Sequence, residues 1–250
     1  MIFAAGLGTR LRPLTNDRPK ALVEVSGQPM LQRVILRLKA AGVDELVINI
    51  HHFGDRVIEF MRQNHDFGLT VHISDERPLC DKPLETGGGI LQARQWLEDG
   101  EPFIVHNADI LTDLDLRAFY RYHCDHDALA TLLVKERETQ RYFLLDDDGR
   151  LRGWTNIATG EVKPDGASLD LNKLHRRAFG GIHVISPAIF RLLDKFAAGQ
   201  LAFGIVPFYL AACGKHSIYG YEPDESYTWF DIGKPETLKS ASAYFAGTEK

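Results

Sequence analysis

The chain has 250 residues, 44% of them hydrophobic and 25% charged, which is enough apolar material for one large core or two modest ones and too much for a disordered or collagen-like chain. With 29 Lys and Arg against 34 Asp and Glu the formal charge is -5, so the surface as a whole repels a polyanion and nucleic acid is not an expected partner. No apolar run approaches the roughly 18 residues of a membrane span, and the opening MIFAAGLGTR turns glycine-rich and charged too early for a signal peptide; the expected location is the cytoplasm.

In chain order, the short apolar run Ile2 to Ala5 reads as a strand ending at Gly6. Only Met1 precedes it, so a few further native residues are expected ahead of this sequence. Pro29 to Ala41 reads as a helix opened by proline and closed by Gly42. Leu46 to Ile50 reads as a strand, Asp55 to Met61 as a helix, Leu69 to Ile73 as a strand, Ile90 to Leu97 as a helix and Phe103 to Val105 as a strand running into His106-Asn107-Ala108-Asp109. Such alternation specifies crossover units and a largely parallel sheet between helices, hence an α/β fold. After Ala128 to Lys135 the rhythm changes. Tyr142 to Leu145 and Leu151 to Ile157, joined by Asp147-Asp148-Gly149, predict a hairpin, and residues 164–177 a polar loop. Phe179 to Ile185, Ile218 to Tyr221 and Thr228 to Phe230 are expected strands; Pro187 to Phe196, Ile205 to Cys213 and Pro235 to Phe245 are expected helices. With no repeat and no low-complexity linker, one domain over 1–250 with an insertion at 136–178 is expected.

The charge is uneven. Residues 1–40 hold seven bases (Arg10, Arg12, Arg18, Lys20, Arg33, Arg37, Lys39) and two acids (Asp17, Glu24), a basic beginning on an acidic body, suited to holding a small, highly charged anion. Arg33, Arg37 and Lys39 fall between Leu31, Val34, Ile35 and Leu38 as the solvated face of a helix. Arg10, Arg12, Arg18 and Lys20 have no helical period. They belong to Gly6-Leu7-Gly8-Thr9-Arg10, directly after a strand, and to Pro19-Lys20. Glycine amides, a threonine hydroxyl and a guanidinium form a phosphate cradle, yet the third glycine of a dinucleotide fingerprint and the G-K-[ST] ending of a Walker loop are both missing.

A second glycine run, Glu85-Thr86-Gly87-Gly88-Gly89, lies between loop and helix and suits either close contact with a flat base or a hinge. Asp109 and Asp231 each follow a strand, where open α/β sheets place ligands, and two carboxylates with phosphate oxygens suit magnesium. The three cysteines form no C-x-x-C pair, the histidines have no metal spacing, and no G-x-S-x-G elbow occurs.

Taken in order, Gly6-Leu7-Gly8-Thr9-Arg10-Leu11-Arg12-Pro13, Pro19-Lys20, Glu85-Thr86-Gly87-Gly88-Gly89, Asn107-Ala108-Asp109 and Asp231-Ile232-Gly233 resemble the sugar-1-phosphate nucleotidylyltransferase family. The resemblance spans nearly the whole chain. It implies a Rossmann-like three-layer sandwich with a mostly parallel mixed sheet and a β-hairpin insertion on the sugar side, without the C-terminal β-helix of some relatives. It further implies Mg2+, a nucleoside triphosphate and a sugar 1-phosphate. Carried over by position, Ala5, Gly6, Gly8, Thr9, Arg10, Lys20, Glu85, Gly87, Gly88 and Asn107 would bind the nucleotide, with Arg10, Lys20 and Asp109 catalytic and Asp109 and Asp231 on the metal. Asn156, Glu161, Lys163 and Gly181 would bind the sugar phosphate, Gly160 to Pro164 resembling the family's E-K-P element with one residue inserted. UTP with N-acetylmuramate 1-phosphate is the leading implied pair. GTP with mannose 1-phosphate, a phosphocholine-type cytidylyltransferase and a non-catalytic nucleotide-sensing relative are the alternatives.

Overall fold

The computed structural model describes residues 1–164, 169–223 and 226–248. It is Rossmann-like α/β, a mixed central sheet with helices on both sides. Two compact units divide it: Met1–Leu84, His106–Leu116 and Ser226–Lys250 form one, Glu85–Val105 and Arg117–Glu225 the other.

In the first unit, Ile2–Phe3 lies between Glu45–Ile50 and the end of Phe103–Asn107, and Thr70–Asp75 pairs beyond Glu45–Ile50, all parallel. Parallel neighbours require crossovers, which Met30–Ala40 and Gly54–Gln63 provide. Glu45–Ile50 is buried at five consecutive positions, as a strand covered on both faces must be. Met30, Leu31, Val34, Ile35 and Leu38 bury one helical stripe. Apart from this sheet, Ile110–Thr112 pairs antiparallel with Trp229–Asp231, in the register Asp231 with Ile110. Pro235–Thr248 closes the unit.

The second unit is built largely from antiparallel pairs. Arg141–Leu145, Leu151–Asn156 and Glu161–Lys163 form a three-stranded meander. His175–Ile185 pairs through residues 175–177 with the first of these and through residues 178–185 with Ala130–Lys135, which Ile218–Tyr221 joins in parallel.

Four departures from the sequence-based elements have physical causes. A helix at Leu116–Asp125 carries Phe119 and a buried histidine, His123, on its inner face; the polar residue hides the apolar period. The helix expected at Ile90 begins at Glu85, runs to Gln92 and takes in all three glycines, with a separate short helix at Arg94–Leu97. The strand expected at Phe179 begins at His175, where exposed His175 and Arg176 and half-buried Arg177 pair with buried Leu145 to Phe143. The polar loop expected over 164–177 is therefore shorter; residues 165–168 of it lie outside the described residues.

Candidate active site

The first unit collects the early glycine turn and both aspartates. The turn leaves the carboxyl end of Ile2–Phe3, with Ala5 buried and Gly6 exposed. At Gly6 a side-chain carbon would meet nothing within 4 Å, whereas Gly8 has φ +63 and a Cβ there would press on Lys20 and Thr15 at 3.0 Å. Gly8 is thus required by backbone and by packing, and the Thr15 hydroxyl donates to its carbonyl at 2.9 Å. Thr9–Leu11 forms a single 3-10 turn pinned by buried Leu11, which leaves Thr9 and Arg10 exposed.

Lys20 opens a second 3-10 turn, and its ammonium is ion-paired with a carboxylate oxygen of Asp109. Asp109 follows Asn107, which ends the strand beside Ile2–Phe3. The amide of Ile232 donates to the Asp109 carbonyl at 2.9 Å, so the backbone ladder holds the two aspartate segments side by side. A Cβ at Gly233 would lie 3.0 Å from the Arg10 guanidinium and 3.0 Å from a carboxylate oxygen of Asp231; both groups reach the same glycine. Arg10, Lys20, Asp109 and Asp231 therefore converge in one unit, two positive and two negative charges.

This donor set fits a divalent cation. Hard oxygen donors from two neighbouring segments suffice for magnesium, which usually takes one or two protein carboxylates and completes its shell with water and phosphate oxygens. Among the described residues no group of three or more His, Cys, Asp or Glu forms a metal cage. The ammonium of Lys20 now shares Asp109, so a cation there would share that carboxylate with it.

A polar cluster that the sequence did not signal lies beside this region. Glu76, 1% exposed, accepts from the Asn49 side-chain amide at 2.6 Å and from the Leu84 backbone amide at 3.0 Å. Burial pushes its carboxyl above the ordinary 4.5, against the lowering effect of those two donors. Glu76 holds the stretch leading into Glu85. The only local hint was a pair of acids, Asp75 and Glu76, right after a strand.

In the second unit Glu85 has φ +60, and the amides of Gly87 and Gly88 donate to the Phe203 carbonyl at 2.8 and 3.1 Å. A Cβ on Gly87 would overlap the Phe203 ring, so close packing explains that glycine. The amide of Ile205 donates to the Thr86 hydroxyl at 3.0 Å. The helix Ile205–Ala212 starts there, and Val206, Pro207 and Leu210 line a cavity of about 510 Å³ with Arg141, Phe143, Trp154, Lys163 and Phe179.

Three of the sugar-side residues lie on one face of the meander. Phe143, Trp154 and Lys163 are directly opposite one another across its strands, and Arg141, Asn156 and Glu161 form the next row on the same face. Lys163 pairs with Glu161 at 2.9 Å and sits 5.7 Å from the Trp154 ring centre. Asn156 caps its own turn by accepting from the Ala158 amide at 3.0 Å. Gly181, at φ +76, sits where the register of His175–Ile185 shifts.

The nucleotidyl transferase family pattern matches residues 1–247, and the chain belongs to that family. It is 33% identical over 250 residues to the N-acetylmuramate alpha-1-phosphate uridylyltransferase of Caulobacter vibrioides, covering 98% of this chain and 96% of that one. To the enzyme of the same name from Neisseria meningitidis serogroup B it is 30% identical, with 97% and 96% covered. A mannose-1-phosphate guanyltransferase of Kluyveromyces lactis is 28% identical over 98% of this chain, which spans 64% of that longer relative. In fold, the chain matches a UDP-glucose pyrophosphorylase solved with UDP-glucose at a TM-score of 0.76 and 16% identity, covering 99% of this chain and 97% of that one. HddC from Yersinia pseudotuberculosis, solved with GMP-PN, matches at 0.72 and 23%, with 98% and 97% covered.

Proposed function

We propose that this sugar-1-phosphate nucleotidylyltransferase transfers a uridylyl group from UTP to N-acetylmuramate 1-phosphate, with Mg2+ as its cation, and that the whole chain acts as one nucleotidyltransferase domain in the cytoplasm. The observation that carries the reading is the convergence of Arg10 and Lys20 with Asp109 and Asp231. The uridylyl and muramate assignment is supported by relatives of that activity whose length this chain spans to 96%.

An oxygen of the sugar 1-phosphate attacks the α-phosphorus of the triphosphate in line, and pyrophosphate leaves. That oxygen is already ionised, so no protein base is required. Charge is the obstacle. Two unit charges 4 Å apart repel by about 4 kcal/mol at an effective dielectric near 20, and several such pairs meet in this reaction. Arg10, exposed on its 3-10 turn, would neutralise the departing pyrophosphate, and Lys20 the α-phosphate region. Asp109 and Asp231 would hold the cation, which when bound would supply Lewis-acid stabilisation of phosphate oxygens. Ala5, Gly6, Gly8 and Thr9 would cradle the phosphates, Asn107 the ribose, and Glu85, Gly87 and Gly88 the base. Asn156, Glu161, Lys163 and Gly181 would contact the sugar phosphate.

A second reading, GTP with mannose 1-phosphate, draws on the relatives at 28% and 30% identity that bear mannose-1-phosphate names. A pyrophosphate-release panel of UTP, GTP, CTP and TTP against N-acetylmuramate 1-phosphate and mannose 1-phosphate decides between them. The reading predicts fastest turnover with UTP and the muramate; a preference for GTP and mannose 1-phosphate overturns it.

A further inference from the structure

The cavity of the second unit has a charge pattern that none of its proposed roles uses. Its floor is apolar, from Phe143, Trp154, Phe179, Val206, Pro207 and Leu210, and its cations are Arg141 and Lys163. Lys163 pairs with Glu161 at 2.9 Å, yet its side chain is still 56% exposed. Three other arginines of this unit are bound to acids, Arg94 to Glu98 and Asp194, Arg152 to Asp146 and Arg177 to Glu222; what sets Arg141 apart from the rest is that it lines the cavity. Arg141 is exposed, and its guanidinium has no hydrogen bond or ion pair with any described residue. The register separates the two cations. Lys163 stands in the row of Trp154 and Phe143, and Arg141 in the next row and two strands away. With about 3.4 Å per residue and 4.8 Å per strand, their backbone positions are roughly 12 Å apart. Two cations so separated, with aromatic surface between them, suit a ligand with two distinct anionic groups joined by a partly apolar body. They do not suit one phosphate.

We infer that Arg141 is the specificity-determining residue of the sugar side, and that it reads the carboxylate of an acidic sugar 1-phosphate. This rests on the uridylyltransferase reading and deepens it. A guanidinium binds a carboxylate through two parallel N–H donors, a geometry that lysine lacks. Away from its phosphate, a neutral hexose 1-phosphate offers that fork only hydroxyl oxygens, which accept without a charge. N-acetylmuramate differs from N-acetylglucosamine by an ether-linked lactyl group, which supplies a carboxylate and an apolar methyl.

The test is steady-state pyrophosphate release with saturating UTP and either N-acetylmuramate 1-phosphate or N-acetylglucosamine 1-phosphate, for wild type, Arg141→Gln and Arg141→Lys. Loss of a charge-assisted hydrogen bond predicts that Arg141→Gln raises KM for the acidic sugar about 10- to 100-fold relative to the neutral one, with kcat changed far less, and that Arg141→Lys recovers only part of the preference. A wild type that prefers the acidic sugar, with Arg141→Gln altering both KM values equally or neither, overturns the role of Arg141 and leaves the functional reading standing. A wild type that turns over neither sugar phosphate, or prefers the neutral one, overturns the functional reading itself.

Discussion

At the scale of single residues, the pairing of Lys20 with Asp109 ties the mechanism together. The ammonium is held by a carboxylate 89 positions away, and its side chain is only 12% exposed, so its position is set before substrate arrives. Removing a preorganised charge of this kind costs on the order of 100-fold or more in turnover. Lys20→Ala is expected to lower kcat by that factor while its circular-dichroism melting curve stays cooperative; wild-type turnover in a pyrophosphate-release assay would remove Lys20 from the reaction. The candidate site residues drew attention in sequence because their signals are local: glycines after a strand, a lysine after proline, aspartates at strand ends. Their pairing was not, since it depends on which strand ends the topology makes adjacent. Glu76 went unseen because a carboxylate gives no sign in sequence of being buried. Arg141 went unseen because its distinction lies in what surrounds it.

At the scale of elements, the helix Leu116–Asp125 shows what the apolar pattern conceals. His123 occupies an inner position, with its ring nitrogens 2.9 Å from the Thr131 hydroxyl and 2.9 Å from the Ser186 hydroxyl. Burial lowers its pKa from 6.5 to about 4, and His106, buried at its own strand end, is lowered likewise to about 4. Both are neutral in the folded state, while the unfolded chain takes up their protons below pH 6.5. The folded state therefore loses stability as pH falls from 6.5 to about 4. The melting temperature of wild type is expected to drop across this window, and that of His123→Gln, lower at neutral pH, to drop less; parallel curves would contradict the assignment. The glycine run teaches a related lesson. Three glycines argue against a helix by propensity, at roughly 1 kcal/mol each, but the approach of Phe203 to Gly87 and the donation of two amides to its carbonyl outweigh that preference.

At the scale of the whole molecule, the fold class followed from the alternation of strands and helices, because a parallel sheet cannot be built without crossovers. Division into two units did not, since no linker composition marks it and the chain passes between them several times. The uneven charge has a structural counterpart. Arg10 and Lys20 from the basic start meet two aspartates from the middle and end of the chain, so their formal charges cancel. The direct test of this convergence is the rate of pyrophosphate formation by Asp231→Asn, measured beside wild type with UTP, sugar 1-phosphate and Mg2+ at saturation. Loss of one of the two carboxylates proposed to hold the cation predicts a fall of about 100-fold or more with a folded protein; a rate within about twofold of wild type would contradict the account.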